Sequence, residues 1–432
     1  MSNQAGRARL TRRRFLQLSQ SAVAIAGAAP LLGTATEALA APASEHSGPA
    51  VDYYDKMGVP KIINAAGTYT TLTASILPPY VRRAIDQASL HPVRLHDLQV
   101  ASGEYLAKKL RCEGALVTTG ASGAITLATA ACMAYANNSK PGAIPEGAPN
   151  MKNEIIIQKS HRYAYDHAMM ICGATIREVV TLDDYKRAFN DKTMMTNFFN
   201  AAEEEDGPKA EIGREQWLEI AHQHNVPCHI DAAADMPPIS NLWKYTGMGF
   251  DLVSFSGGKG IRGPQNAGLL LGKKQLTDLA LQNTNPNGVA VGRGMKVAKE
   301  QIVGMVAAVD YLLEQSDEEN LKEYNRRADV IARAVKGIPS MQSQVVIPRI
   351  ANHVPHLLLK FDPSVVGVTV PQVQERLRAE SPQIELNPNT GHKPNQGIPS
   401  DANTLVVGVW MLQPGEDVIV GRRLRKALTQ KA

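Results

Sequence analysis

Paired cysteines, long apolar runs and surplus charge are all scarce in this chain of 432 residues, and each scarcity removes a class of protein. The four cysteines, Cys112, Cys132, Cys172 and Cys228, show no Cys-x-x-Cys spacing and sit in apolar or helical stretches. That excludes a disulfide scaffold; buried thiols are expected, with a disulfide left open for an oxidising compartment. The histidine pairs His161/His167 and His353/His356 lack a cysteine or carboxylate cluster at ligand spacing, so no metal is expected. No segment approaches the roughly 20 apolar residues that span a bilayer, so stable membrane insertion is not expected. The formal charge is +5, but residues 1–40 hold five arginines against Glu37, and without them 41 basic face 40 acidic side chains. Basic and aromatic residues are not clustered, so a nucleic-acid partner is not expected. Internal repeats are absent, and low complexity is confined to the first 50 residues.

What those first residues do contain is an address. Thr11-Arg12-Arg13-Arg14-Phe15-Leu16 precedes an apolar stretch from Ala22 to Leu32, broken by Gly27 and Pro30, and a small-x-small site at Ala38-Leu39-Ala40. The pattern predicts a twin-arginine signal over residues 1–40, a partnership with the twin-arginine export machinery and a periplasmic or exported location. That route carries folded proteins, so a cofactor could be enclosed before export. A linker and N-terminal arm follow over 41–60.

Beyond it, strand-like and helix-like segments alternate, which predicts an α/β fold with a mostly parallel sheet flanked by helices. Strands are expected at Ala115–Thr118, Glu154–Gln158, Thr175–Val180, Met194–Phe199, Pro227–Asp231, Asp251–Ser256 and Ala267–Leu271. Amphipathic helices are expected at Ser122–Ala136, Arg162–Cys172 and Arg214–His224. A large domain over 61–315 gives way to a smaller C-terminal α+β domain over 316–432.

In such sheets ligands collect at the carboxyl ends of the strands, and four constellations fall there. Lys259 lies in Ser256-Gly-Gly-Lys-Gly-Ile-Arg262-Gly-Pro, where little side-chain bulk shields the amine. Ser256 and Ser254 share one side of its strand, and Arg262 adds charge. Asp231 ends the strand 28 residues earlier, with Asp235 as its rival. An amine that can condense with an aldehyde, set against an acid for a pyridinium nitrogen, is the pair that pyridoxal 5'-phosphate requires. Gly120, Ala121 and Ser122 open a helix where backbone N–H groups can meet a phosphate, or else form a tight turn with Ser122 as cap. His161 follows its strand directly and can stack on a pyridine ring, or cap the turn. The Gly258-x-Gly260-x-x-Gly263 spacing imitates a dinucleotide fingerprint, but Pro264 and a strand follow where that motif needs a helix.

The chain resembles the fold-type I pyridoxal-phosphate enzymes of the selenocysteine synthase (L-seryl-tRNA(Sec) selenium transferase) type, which include D-glucosaminate-6-phosphate ammonia-lyase. The motifs are Ile63-Asn64-Ala-Ala-Gly67-Thr68, Thr119 to Gly123, Ile230-Asp231-Ala-Ala-Ala234, the Lys259 block, Gly292-Arg293-Gly-Met-Lys296-Val-x-Lys299-Glu300 and Pro414-Gly415-Glu416-Asp417. The resemblance implies that Lys259 bonds the cofactor, that Asp231 partners the pyridinium, and that a homodimer or larger assembly carries active sites near its interfaces. Arg293 and Lys296, with Lys299, are candidates to hold a substrate carboxylate or phosphate, or else surface charges at a helix start.

The reaction expected is on an amino acid or amino sugar acid: Lys259 as general base, a carbanion stabilised by the cofactor, and loss of a β-substituent and ammonia, as in a lyase. Aminotransferase, racemase and selenium-transferase-like chemistry start from the same carbanion. An exported binding protein without activity is the alternative of another class, and the Lys259–Asp231 pair argues against it.

Overall fold

A short strand, β1 (Ile62–Ala65), is the first described strand, and seven further strands in chain order build the main sheet. They are β2 (Gly114–Thr118), β3 (Glu154–Gln158), β4 (Thr175–Val179), β5 (Thr193–Phe199), β6 (Cys228–Asp231), β7 (Leu252–Ser256) and β8 (Gly268–Gly272). The computed structural model describes residues 51–201 and 212–430. The proposed signal, the start of the linker and the acidic Glu203–Asp206 segment lie outside the described residues. The chain divides after Met57: residues 51–57 carry one short helix, Tyr53–Met57, and a single compact unit runs from Gly58.

The sheet runs in the order β2-β8-β7-β6-β5-β3-β4. Neighbours from β7 to β4 are parallel, and β8 alone runs antiparallel to both β2 and β7. All seven strands fall where the sequence predicts them, to within a residue or so, because each is a short apolar run closed by turn residues. Both faces are covered, as a parallel sheet requires. Alternation decides which core a side chain joins: Ala115 and Val117 of β2 pack with Phe198, Trp217 and Phe255, whereas Leu116 packs on the other face with Ile125, Met133 and Ile157. The helix Gly120–Asn137 is buried around nearly its whole circumference, and its alanines let it lie close against the strands.

The expected helix over Arg162–Cys172 does not form as one element. Tyr163 is extended (φ −156°, ψ 175°), a 3₁₀ turn covers Ala164–Asp166, and only His167–Met170 is α-helical. The extended residue carries the Tyr163 ring to Asp231 instead of along a helix.

The C-terminal part adds β9 (Gln342–Val346), β10 (His356–Lys360), β11 (Gln383–Leu386) and β12 (Thr404–Gly408). Three form an antiparallel sheet, β12-β10-β9, while β11 pairs in parallel with β1. Ile63 and Ala65 therefore belong to the C-terminal core, beside Ile331, Leu357, Ile384, Val407 and Leu424. The strand falls within the expected 61–315 span but packs with the C-terminal part: three apolar residues and Asn64 find their partner over three hundred positions later, which no local pattern announces. The chain then returns to the main sheet, where Ser75 N–H donates to Gly258 O (3.0 Å) and Gln265 Nε2 to Thr70 O (3.1 Å).

One close approach holds the lysine loop's exit against the start of the long helix. A Cβ on Gly268 would stand 2.5 Å from Gly120 C and 2.8 Å from Phe255 O. Gly268→Ala is expected to lower stability by about 1–3 kcal/mol through overpacking, measured by urea denaturation.

Candidate active site

The parallel strands aim their carboxyl ends at a cavity of about 450 Å³. Asp231 closes β6 and Ser256 closes β7. The turn into the helix Gly120–Asn137 supplies Gly120, Ala121 and Ser122, and Lys259 stands three residues past β7; all of them line the cavity. The C-terminal part contributes His356 from β10, Asn387 and Trp410 to the lining. The main core and the C-terminal core thus meet here.

Asp231 is 3 % exposed, and both its oxygens are engaged: Oδ1 accepts from Ala233 N–H (2.9 Å) and Oδ2 from the Tyr163 hydroxyl. Burial raises its pKa, and the Tyr163 and Ala233 donors and the Lys259 charge pull it back. Burial pushes the Lys259 amine below the ordinary lysine value, opposed by the charges of Asp231 and Asp235. Among the described residues lining the cavity, Lys259 is the one lysine or arginine and these two acids are the only carboxylates. His356 is neutral, its pKa lowered to about 4 by burial, and its Nδ1 pairs with Val354 O (2.9 Å).

At Gly120 the backbone turns left-handed (φ +66°), and a Cβ built there meets no atom within 4 Å. The turn therefore presents bare backbone to the cavity at a helix N-terminus, a setting that favours an anion. Thr119 Oγ1 fixes it by donating to Met295 O (2.6 Å), which ties in the 293–296 segment.

Five of the predicted site residues stand elsewhere or act otherwise. His161 is fully buried, accepts from Phe199 N–H at Nδ1 (3.3 Å) and meets Phe198 edge-on; burial and the Arg214 charge hold its pKa near 3. It is a neutral core residue, whereas Tyr163, stacked on Phe199 at 4.0 Å, stands on the cavity wall close to Asp231. Ser254 also lies in the core, where its hydroxyl pairs with His229 Nε2 (2.7 Å), while His229 Nδ1 pairs with Asn197 Oδ1 (2.6 Å). Ser256, two residues on, faces the cavity because β7 ends there. Arg262 turns away: its guanidinium donates to Ile76 O (3.2 Å) and lines a separate, mainly apolar cavity of about 290 Å³. Arg293 and Lys296 are exposed and do not line the site.

The motifs do not point to Tyr163, Phe199, His356 or Trp410, which also line the cavity. Asn64 shapes the entry strand's end, accepting from the Ala66 and Gly67 N–H groups (both 3.0 Å) and donating to Gly67 O (2.9 Å). All four cysteines are free thiols, and burial raises the pKa of each. Among the described residues one group, His222, Cys228 and Asp251, has metal-like proximity, but Lys273 (2.5 Å) and the Cys228 N–H (2.7 Å) already occupy the Asp251 carboxylate.

The family model for L-seryl-tRNA selenium transferase (SelA) matches residues 166–334. The 5'-C-glycyluridine monooxygenase-decarboxylase of a Streptomyces species is 27% identical over 347 residues, covering 77% of this chain and 83% of that protein. D-glucosaminate-6-phosphate ammonia lyase of Salmonella typhimurium is 25% identical over 334 residues, covering 75% and 86%. Among solved structures, a D-glucosaminate-6-phosphate ammonia-lyase superposes with a TM-score of 0.74 at 21% identity, over 88% of this chain and 99% of the other. A serine palmitoyltransferase from S. paucimobilis with bound PLP gives 0.51 at 11%, over 85% and 88%. These likenesses establish the fold as that of the fold-type I enzymes.

Ser254→Ala is expected to strand His229 in the core and cost about 1–3 kcal/mol. Ser256→Ala, at the cavity, should stay within about 0.5 kcal/mol; denaturant midpoints of the two variants test the exchange of roles.

Proposed function

We propose that this chain is a pyridoxal phosphate-dependent lyase that removes ammonia and a β-substituent from an amino acid or amino sugar acid. The observation that carries the reading is the convergence of Lys259, Asp231 and the bare Gly120–Ser122 turn on one cavity. The residues fit the cofactor: a buried carboxylate with an acid's charge to offer a ring nitrogen, an amine of lowered pKa, an anion-accepting helix start and an aromatic wall. Lys259 would hold the cofactor covalently, Asp231 its ring nitrogen, and the Gly120, Ala121 and Ser122 backbone with the Ser256 hydroxyl its phosphate. Pyridoxal phosphate, when bound, draws electrons from the bonds of the carbon that carries the substrate's amine.

The chain's own side chains do the rest. Lys259 Nζ, made less basic by burial, would take the proton from that carbon as general base. Asp231, whose oxygens accept from the Tyr163 hydroxyl and the Ala233 N–H, would face the ring nitrogen and favour its protonated form. Loss of a β-hydroxyl and uptake of water convert a 3-hydroxy-2-amino acid into a 2-keto acid and ammonia. The names of the relatives, an ammonia lyase and a monooxygenase-decarboxylase, support cleavage at this carbon over transfer to RNA. Arg293 and Lys296 are assigned to substrate only as residues of a neighbouring subunit in a homo-oligomer, because within one chain they do not reach the cavity.

The address is part of the proposal: residues 1–40 direct the folded enzyme through the twin-arginine route to the periplasm or beyond. Replacing Arg12 and Arg13 together by lysine is expected to leave the protein in the cytoplasmic fraction, and unchanged export of that variant would refute it.

Lys259→Ala is expected to abolish the visible absorbance of the bound cofactor and lower ammonia release by at least about 10²–10⁴-fold. Tyr163→Phe should weaken cofactor retention by about tenfold, the worth of one hydrogen bond to a charged group, read by equilibrium titration. Retention of the absorbance in Lys259→Ala would end the assignment.

A further inference from the structure

Two acids and one amine are enclosed in the cavity, and the two acids are bonded differently. Asp231 spends one hydrogen bond on each oxygen. Asp235 is 1 % exposed, and Asn200 Nδ2 (2.5 Å) and the Tyr245 hydroxyl (3.0 Å) both donate to its Oδ2. Its Oδ1 is buried and has no partner, although Asp235 lines the cavity. An ionised carboxylate oxygen left bare in a low-dielectric site is costly, whereas a protonated one is not. Two buried negative charges against the single cation Lys259 would also leave net charge inside the site. The charge balance calls for one extra proton in the site, and the bare oxygen places it on Asp235 Oδ1.

We propose that Asp235 is the proton store of this cavity, an acid protonated at Oδ1 while Asp231 stays charged, and that its ionisation sets how tightly Lys259 holds its own proton. It is a positioning residue acting through Lys259, and its place in turnover rests on the lyase reading above. The groups that face it are Asp231 at the end of β6, Lys259 on the loop after β7, Tyr245 on the helix Asn241–Met248 and the uncharged Asn200 after β5. Arg214 acts on the neighbouring Tyr245, lowering its pKa. Burial raises its pKa to about 6, with Asp231 adding to the rise and Asn200, Tyr245 and Lys259 opposing it.

The sign of the pH effect follows. An acid whose folded pKa lies above its unfolded value binds its proton more tightly when folded. Its contribution to stability is whole below the unfolded value and is lost as pH rises through the folded one, here from about 4 to about 6. Asp235→Asn removes that loss. Thermal unfolding of the cofactor-free protein between about pH 4.5 and pH 7.5 is therefore expected to show wild type falling relative to Asp235→Asn by about 2–4 °C. A purely structural Asp235 would instead make the variant less stable by the same amount at every pH, and that result overturns the proposal.

Tyr245→Phe keeps the acid and removes a donor to Oδ2, so the wild-type transition should move to higher pH. An unmoved transition overturns the proposal even where Asp235→Asn does not fold. In the cofactor-loaded enzyme, Asp235→Asn should lower the pH midpoint of the bound cofactor's absorbance, because one of the charges that raise the Lys259 pKa is gone; an unchanged midpoint counts against it. A protein that takes up no cofactor would sink the lyase reading and leave the thermal test of Asp235 decisive.

Discussion

An amine held partly out of water, opposite a buried carboxylate, is the constraint around which this structure is arranged. Either group alone would be costly to enclose, and each makes the other tolerable. The sheet topology supplies the opposition: β6 and β7 are parallel neighbours, so Asp231 at the end of one and the Lys259 loop after the other leave the sheet at the same edge. The antiparallel β8 returns the chain immediately, which keeps the lysine loop short and pinned, with Gly257 N–H donating to Ala267 O (2.8 Å).

Beneath that edge lies a layer of neutral polar groups. His229, Asn197 and Ser254 link β5, β6 and β7 through side-chain hydrogen bonds in the core. Burial lowers the His229 pKa to about 3, so the layer carries no charge of its own. It holds the strands in register directly behind Asp231 without perturbing the charge balance on the cavity side.

Much of this was legible in the sequence, for identifiable reasons. The seven strands are short apolar runs with turn residues at both ends, and Asp231, Ser256, Lys259 and the Gly120 turn follow strand ends directly. What stayed hidden depends on the third dimension. Ser254 and Ser256 look alike by alternation, yet strand length decides which one clears the core. His161 has the right neighbours in sequence, but an extended Tyr163 takes the wall position. Arg262 is drawn to the Ile76 carbonyl, and Trp410, His356 and Asn387 arrive from a core whose first strand lies at the other end of the chain. Asp235 was visible only as a rival to Asp231; the two are distinguished by which oxygens their neighbours reach.

The pairing of β1 with β11 also fixes the order of events during synthesis. Asn387 Nδ2 donates to Ala66 O across 321 residues of chain (3.0 Å), so the first strand has no partner until β11 has been made. Contacts of such long separation form late. A product stopped before residue 383 would lack β11, Asn387, β12 and Trp410, so the pocket closes only on chains that extend past them.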